Sequence, residues 1–312
     1  MKRTLKRFIK KCLGSKLSYF VSKHFKSDTS KYRDNLPLLA EKIYYNILGR
    51  HIDWNNPKDI NEKINWMKFN TETSIWTTLA DKYKVREYLT EKGFGDLLVP
   101  LVGKWDRADE INFDDIKYPC IMKVNHGAGG NYPLMSKPTD SEKEKLIKEL
   151  NKLLDTPYGY DTAEPHYIPI KTCVIAEELL IEEKKDQYSS SLIDYKVWCF
   201  NGVADSILVV FDRAKYAVKL SNYDKDWNFH PEWAITTSHY LNGGDVLPKP
   251  LNLQKMLDAA AALSKGFPQI RVDFYEVNGK LYIGEMTFTS QGGYMEYYTQ
   301  EHLLDMGNKC II

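Results

Sequence analysis

The chain has 312 residues, 43% apolar and 27% charged, with 43 Lys and Arg against 42 Asp and Glu and a net charge of +1. These proportions are ordinary for a soluble globular protein, and the length allows a large core with two or three subdomains. Five scattered cysteines (Cys12, Cys120, Cys173, Cys199, Cys310) without a Cys-x-x-Cys pair exclude a disulfide framework and a structural zinc site, and point to a reducing cytosol.

The positive charge is concentrated at the start. Residues 1–27 carry nine basic side chains (Lys2, Arg3, Lys6, Arg7, Lys10, Lys11, Lys16, Lys23, Lys26) and no acid, which leaves the rest of the chain at −8. Leu5, Phe8, Ile9, Cys12 and Leu13 recur at helical spacing opposite those cations, the pattern of an amphipathic helix on an anionic membrane surface. A solvated basic arm is the competing reading. Nucleic acid is not expected as a partner, because the rest of the chain offers no basic patch to continue the tail. No apolar run approaches the roughly 18 residues of a membrane span, and no signal-peptide core precedes a small-residue cleavage site.

Downstream, the spacing predicts a helix over Leu36 to Leu48, a second opened by Asn56-Pro57 and running through Ile60, Ile64, Trp66 and Met67, and a third from Leu79 to Leu89 carrying Asp81, Lys82 and Arg86. Leu97 to Pro100 reads as a short strand, and Pro119 to Val124 as a buried one entering a glycine-rich loop. Ser141 to Leu154 is a charged amphipathic helix, and Cys173 to Leu180 a strand. Tyr195 to Phe200 and Ala204 to Phe211 form a hairpin turned at Asn201-Gly202. Asn252 to Lys265 is a helix closed by Gly266 and Pro268. Strands and helices alternate without a regular βαβ rhythm, which predicts mixed α+β subdomains. No internal repeat or low-complexity segment interrupts them.

Residues 270–293 are the most informative stretch. Two runs rich in β-branched and aromatic residues flank Asn278-Gly279, the signature of a β-hairpin. Each arm carries an acid among apolar neighbours, Asp273 and Glu285, and a buried carboxylate is costly unless paired or ligating a cation. Two that converge would suit Mg²⁺, which leaves positions open for phosphate oxygens. Register decides whether they converge. A two-residue turn would oppose Asp273 to Gly284 and send Glu285 to the other face; a three-residue turn with Gly279 as the bulge would oppose Arg271 to Glu285 and bring all three to one face. The metal reading therefore expects the bulged turn, or another bulge that restores the register. Salt-bridged acids in an ordinary hairpin are the alternative.

Two further signals precede the hairpin. Lys123 lies inside the apolar strand Cys120 to Val124, where an ammonium needs an anionic partner. The loop His126-Gly-Ala-Gly-Gly-Asn131 follows, and its glycines let backbone N–H groups wrap phosphate oxygens, although it is neither a Walker A loop nor a dinucleotide fingerprint. The acids Glu177 and Glu178 then end an apolar strand at a candidate hinge, where backbone groups would meet adenine and a carboxylate the ribose. Asp194, before Tyr195-Lys196-Val197-Trp198, is a further ribose or metal candidate. For each taken singly, a strand ending in solvated charge is as plausible.

In order, these segments resemble the ATP-grasp superfamily, and more narrowly its TupA-like, teichuronopeptide-biosynthesis branch. The resemblance rests on Asn56-Pro-Lys-Asp-Ile-Asn-Glu-Lys-Ile, Ala80-Asp-Lys-Tyr-Lys-Val-Arg-Glu-Tyr, Lys123-Val-Asn-His-Gly-Ala-Gly-Gly-Asn, Ala176-Glu-Glu-Leu-Leu, Asp194-Tyr-Lys-Val-Trp-Cys-Phe-Asn-Gly, and Lys265 through Thr289, together spanning roughly residues 50 to 295. It implies an α+β ATP-grasp fold, two α+β subdomains sandwiching ATP behind a helical N-terminal region. The corresponding division is a basic tail at 1–27, the helical region at 28–78, a small subdomain with a glycine-rich lid at 79–180, and a C-terminal subdomain with the metal site at 181–312.

The resemblance also implies roles. Lys82, Lys123, Gly127, Gly129 and Gly130 would hold the phosphates, with His126 either a further phosphate donor or merely part of the turn; Glu177, Glu178, Leu179 and Leu180 would meet the adenine, and Asp194 and Lys196 the rest of the nucleotide. Asp273, Glu285 and Thr287 would hold Mg²⁺; Thr287 stands where many ATP-grasp enzymes have Asn, a stronger ligand. Arg271 would steady the transferring phosphoryl group with Lys123. From its place after the strand Ile207 to Phe211, and not from the resemblance, Arg213 is a candidate to grip a substrate carboxylate, with a surface salt bridge as the alternative. The implied enzyme is an ATP-dependent carboxylate–amine ligase working through an acyl phosphate. It would join an amino acid or other amine to a uronic-acid carboxylate of a bacterial envelope polysaccharide, in the cytoplasm or at the inner face of the plasma membrane. A glycosyltransferase, suggested by Asp224-Lys225-Asp226, and an ATP-dependent sugar kinase are the competing enzymes; a non-catalytic membrane scaffold would leave Lys123, Asp273 and Glu285 scattered in space.

Overall fold

The computed structural model describes residues 30–127, 129–183, 187–213, 217–242 and 246–312. The basic amphipathic tail at 1–27, and Ala128 in the glycine loop, lie outside the described residues.

Helix α1 (Leu36–Leu48) starts where Asn35 accepts the Leu38 N–H at 3.1 Å and ends at Gly49, whose φ of 76° only glycine adopts freely. Helix α2 (Ile60–Asn70) begins three residues later than Asn56-Pro57 suggested, because Asp59 and Glu62 form a reciprocal capping box. The single helix expected over Leu79 to Leu89 is two, α3 (Ser74–Ala80) and α4 (Val85–Glu91). Asp81 breaks them: its carboxylate accepts the N–H groups of Tyr83 (2.8 Å) and Lys84 (3.2 Å), an Asx turn competing with the helix.

Four strands make a small sheet in the order β1 (Leu101–Trp105), β4 (Val174–Glu178), β2 (Cys120–Val124), β3 (Tyr132–Leu134), all pairs antiparallel. The strand expected at Leu97 to Pro100 is instead a 3₁₀ turn over Gly95–Leu97, and β1 starts after it. Helix α5 (Asp140–Leu154) lays Leu146, Leu150 and Leu154 on Cys120, Met122, Val124, Val174 and Ala176. Strand alternation therefore sends Lys123 and Glu177 to the opposite, open face.

Six strands make the larger sheet in the order β10 (Lys280–Thr287), β9 (Gln269–Val277), β5 (Asp194–Phe200), β6 (Val203–Phe211), β7 (Val218–Asp224), β8 (Tyr240–Asn242). Only β7 and β8 run parallel. Helix α6 (Leu253–Leu263) covers one face with Met256, Ala259, Ala260 and Leu263, each apolar side chain contributing about 1.5–3 kcal/mol where fully buried and large. In β9, Ile270, Val272 and Phe274 join that core, so Arg271, Asp273 and Tyr275 point the other way. Helix α7 (Gln300–Lys309) packs on α2; neither it nor β7 was evident in the sequence pattern. The small and large sheets keep separate cores, which is the α+β arrangement expected.

Candidate active site

The hairpin is not built as the bulged turn predicted. Asn278 (φ 51°) and Gly279 (φ 75°) are both left-handed and join Val277 directly to Lys280, a two-residue turn of type I′ character. The ladder is regular as far as Ile283 opposite Phe274. Gly284 is then an extra residue on β10, and beyond it Glu285 opposes Asp273 and Thr287 opposes Arg271. Arg271 therefore faces Thr287, not Glu285 as expected. The outcome that matters holds: Arg271, Asp273, Glu285 and Thr287 share one face. Glycine is required at the bulge because a Cβ there would lie 2.8 Å from the Tyr275 ring.

Asp273 is the centre of a charge cluster. Its carboxylate accepts from Arg271 Nε (2.7 Å) and Nη2 (2.9 Å), and it pairs with Lys196, its neighbour across β5. Burial opposes ionisation of Asp273, yet Arg271 and Lys196 hold its carboxyl below the usual range. Burial would also lower the Arg271 guanidinium, but Asp273 beside it raises it. Arg271 reaches Ser290 Oγ at 2.5 Å and Thr287 Oγ1 at 3.2 Å, so Thr287 serves the guanidinium in this structure. Asp194 on β5 pairs with Arg213 and lies 3.6 Å from Lys196. Arg213 keeps 45% of its side chain exposed beside its pairing with Asp194.

The open face of the small sheet supplies the other wall. Lys123 Nζ lies 2.5 Å from Glu177, and Arg86 approaches the other oxygen of that carboxylate at 3.0 Å, so a buried anion carries two cations. Arg86, unassigned from the sequence, also donates to the Val99 carbonyl at 2.8 Å. Lys82 links the two sheets. Its backbone N–H bonds the Asn125 carbonyl at 2.9 Å, its Nζ donates to the Gly127 carbonyl at 2.6 Å, and the same Nζ lies 4.0 Å from Glu285. Burial lowers the Lys82 ammonium and Lys123 adds to the effect, while Glu285 opposes both.

In the glycine loop, Gly127 (φ 72°) passes so close to Tyr158 that a Cβ would lie 2.7 Å from its ring. His126 is turned inward, edge-on to Tyr158 at 6.2 Å, its pKa pushed down by burial. Gly129 (φ 87°) and Gly130 (φ 67°) continue the left-handed run. At the hinge, the N–H groups of Glu178 and Leu179 already bond the carbonyls of Pro100 (3.0 Å) and Pro119 (3.2 Å), and the Glu178 carboxylate turns to Lys117. Among the described residues, Leu180 is the hinge amide not committed to another carbonyl. Asn278 clasps the next residues: its Nδ2 donates to the Ile181 carbonyl and its Oδ1 accepts the Glu183 N–H, both at 3.0 Å.

Asp224 of the Asp-x-Asp triplet caps its own turn, accepting from the N–H groups of Asp226 (2.9 Å) and Asn228 (2.8 Å). No group of three His, Cys, Asp or Glu side chains converges among the described residues. The hairpin carboxylates that could take up a cation are Asp273 and Glu285, Asp273 sharing its oxygens with Arg271 and Lys196. That donor set fits Mg²⁺, which completes its shell with water and phosphate oxygens.

A sequence-family model described as TupA-like ATPgrasp matches residues 62–309. The chain belongs to the TupA-like ATP-grasp family. That membership carries the α+β ATP-grasp fold and ATP-dependent ligation as a reaction class. Similar solved structures include D-alanine–D-alanine ligase from Bacillus anthracis, at 12% identity and TM-score 0.44 over 81% of this chain and 70% of that one. Another is the ATP-grasp ligase PsnB complexed with minimal precursor, Mg and ADP, at 13% and 0.38 over 73% and 57%. A third is N5-carboxyaminoimidazole ribonucleotide synthetase from Thermus thermophilus, at 11% and 0.41 over 73% and 51%. The chain spans little more than half the length of the last two, and family membership rests on the sequence model. No curated protein matches the chain significantly. No helix among the described residues is long and apolar enough to cross a membrane.

Proposed function

We propose that this TupA-like ATP-grasp protein is a carboxylate–amine ligase that joins an amino acid or other amine to a uronic-acid carboxylate of a bacterial envelope polysaccharide. One observation carries the reading. Lys82 stands between the glycine loop of the small sheet, at Gly127, and Glu285 of the large sheet, opposite Asp273. A nucleotide triphosphate laid between the sheets would have its phosphates at that junction.

The chemistry divides among named groups. A substrate carboxylate attacks the terminal phosphorus of ATP; the new O–P bond makes an acyl phosphate as the bond to ADP breaks. An amine then attacks the acyl carbon: the C–N bond forms as the acyl C–O bond breaks, phosphate leaves with the bridging oxygen and its electron pair, and the amine nitrogen gives up a proton. Mg²⁺, held by Asp273 and Glu285 with Thr287 as the weaker third candidate, would neutralise phosphate charge. Lys82, Lys123 and Arg271 add fixed positive charge where the phosphoryl group moves, without reorganisation at the moment of transfer. Gly127, Gly129 and Gly130 close over the phosphates and keep water from the acyl phosphate. Leu180 offers its N–H to adenine, Asp194 and Lys196 face the nucleotide, and Arg213 holds the substrate carboxylate.

In the same reading, residues 79–180 and 181–312 are the two subdomains, and residues 1–27 bring the enzyme to the anionic inner face of the plasma membrane. Cosedimentation tests the second point: the full chain should bind vesicles containing anionic lipid and release them at high salt, whereas a chain lacking residues 1–27 should not bind them at all. The reaction is tested by offering ATP, Mg²⁺, an amino-acid pool and uronate-containing glycans and seeking an amide by mass. ADP with phosphate left on the sugar would replace the ligase with a kinase.

A further inference from the structure

Helix α2 carries a buried polar stripe that the proposed chemistry does not use. Asn61, Asn65 and Lys68 stand at i, i+4 and i+7, on one helix face. Each donates to a backbone carbonyl of the segment following β10: Asn61 Nδ2 to Met295 (3.0 Å), Asn65 Nδ2 to Gly293 (2.8 Å), Lys68 Nζ to Gly292 (2.9 Å). Asn61 Oδ1 also accepts the Met295 N–H at 3.0 Å, and Lys68 reaches the Tyr294 hydroxyl at 3.2 Å. All three side chains are at most 2% exposed.

An apolar stripe would pack this helix at lower cost, since burying an ammonium and two amides is unfavourable unless every donor is used. Burial pushes the Lys68 ammonium down to about 7, against the pull of Glu164, whose own carboxyl burial raises. The segment addressed is also unusual. Gln291 (φ 46°), Gly292 (φ 66°) and Gly293 (φ 78°) are left-handed in succession, and a Cβ on Gly293 would lie 2.7 Å from Asn65 Nδ2. Just before them, Thr289 donates to Glu164 at 2.5 Å and Ser290 Oγ meets Arg271 at 2.5 Å.

We propose that α2 is a template for the reacting centre: the Asn61–Asn65–Lys68 stripe fixes the backbone of residues 289–295 and, through Ser290, the orientation of Arg271. The helical N-terminal region thereby becomes part of the active-site machinery, with Lys68 a positioning residue. The functional half of this inference rests on the ligase reading; the structural half does not.

Hydrogen exchange on the full-length protein tests it. Lys68→Met, which removes the donor but keeps the apolar stem, is expected to speed exchange in peptides covering 289–295 about tenfold or more, leaving β9 unchanged. Lys68→Gln, which restores an N–H donor, should return that exchange to within about threefold of the parent. In an ADP-release assay, Lys68→Met should lower kcat about tenfold with KM for ATP within twofold. Unchanged exchange at 289–295 in Lys68→Met, equal acceleration in β9, or a rise in KM for ATP with kcat intact overturns the proposal. If the parent protein releases no ADP, the ligase reading fails, and the exchange comparison alone decides the template.

Discussion

Glu285 lies directly opposite Asp273 because Gly284 is an extra residue in β10. A single bulge thus decides whether the two acids form a cation site or point to opposite sides of the sheet. The residue that permits it has no side chain to place against Tyr275.

Replacing Gly284 tests that dependence. Gly284→Val puts branched carbon where even a Cβ meets the Tyr275 ring at 2.8 Å, an overpacking cost of about 1–3 kcal/mol. The expected result is a lower melting temperature together with loss of the stabilisation that MgADP gives the parent. A variant that melts lower but keeps the full MgADP shift would show that the bulge does not set the site.

Lys123 separates binding from folding. Its partner Glu177 also holds Arg86 at 3.0 Å, so Lys123→Met leaves that carboxylate with one cation. The stability cost should stay near 1–3 kcal/mol, while the MgADP-induced thermal shift disappears. Arg86→Leu should show the reverse order, a larger loss of stability with nucleotide binding weakened but present. Titration calorimetry of both variants checks the pair.

The clasp at the hinge makes a third case. Asn278→Gly keeps the left-handed turn but removes both hydrogen bonds to Ile181 and Glu183. These bonds are exposed, so their loss should cost about 1 kcal/mol, roughly fivefold in KM for ATP. The kcat should stay within twofold. An unchanged KM would mean that the hinge holds its shape unaided.

Acid should destabilise the protein through two buried imidazoles. Burial, with help from Lys68, holds His166 at about 3; burial holds His302 at about 4, although Asp305 pulls it upward. Both are neutral when folded, whereas the unfolded chain protonates histidine near pH 6.5. Below about pH 6.5 the unfolded state therefore binds more protons, and stability falls with pH until each folded-state value is passed. For His302 the full effect is roughly 3 kcal/mol. Denaturant unfolding at pH 7 and pH 4.5 should show His302→Phe losing distinctly less stability than the parent, and equal losses would count against the assignment.

Much of the candidate site's geometry was legible because costly residues announce themselves. A lysine in an apolar strand, two acids in a hairpin and a run of glycines each break a local rule, and Lys82, Lys123, Asp273 and Glu285 are brought around one junction. What stayed hidden depends on tertiary packing. The bulge at Gly284 leaves no periodic signal, since the flanking residues fit either register. Asp81 breaks a helix by side-chain capping that periodicity does not register. Asn61, Asn65 and Lys68 look like the solvated face of α2, and only the left-handed backbone of residues 291–293 beside them reveals that this face is buried. Strand β7, with Ser221 and Asn222 buried in it, reads as polar for the same reason.

In the proposed function, ATP and Mg²⁺ meet at the Asp273–Glu285 pair to activate a carboxylate for attack by an amine. Mass analysis of the full-length protein with ATP, Mg²⁺, an amino-acid pool and uronate-containing glycans tests it most directly, with Asp273→Asn as the control. One amide should form per ADP and phosphate released, and neither in the control. ADP formation that leaves the phosphate on the sugar, or amide formation undiminished in Asp273→Asn, would contradict it.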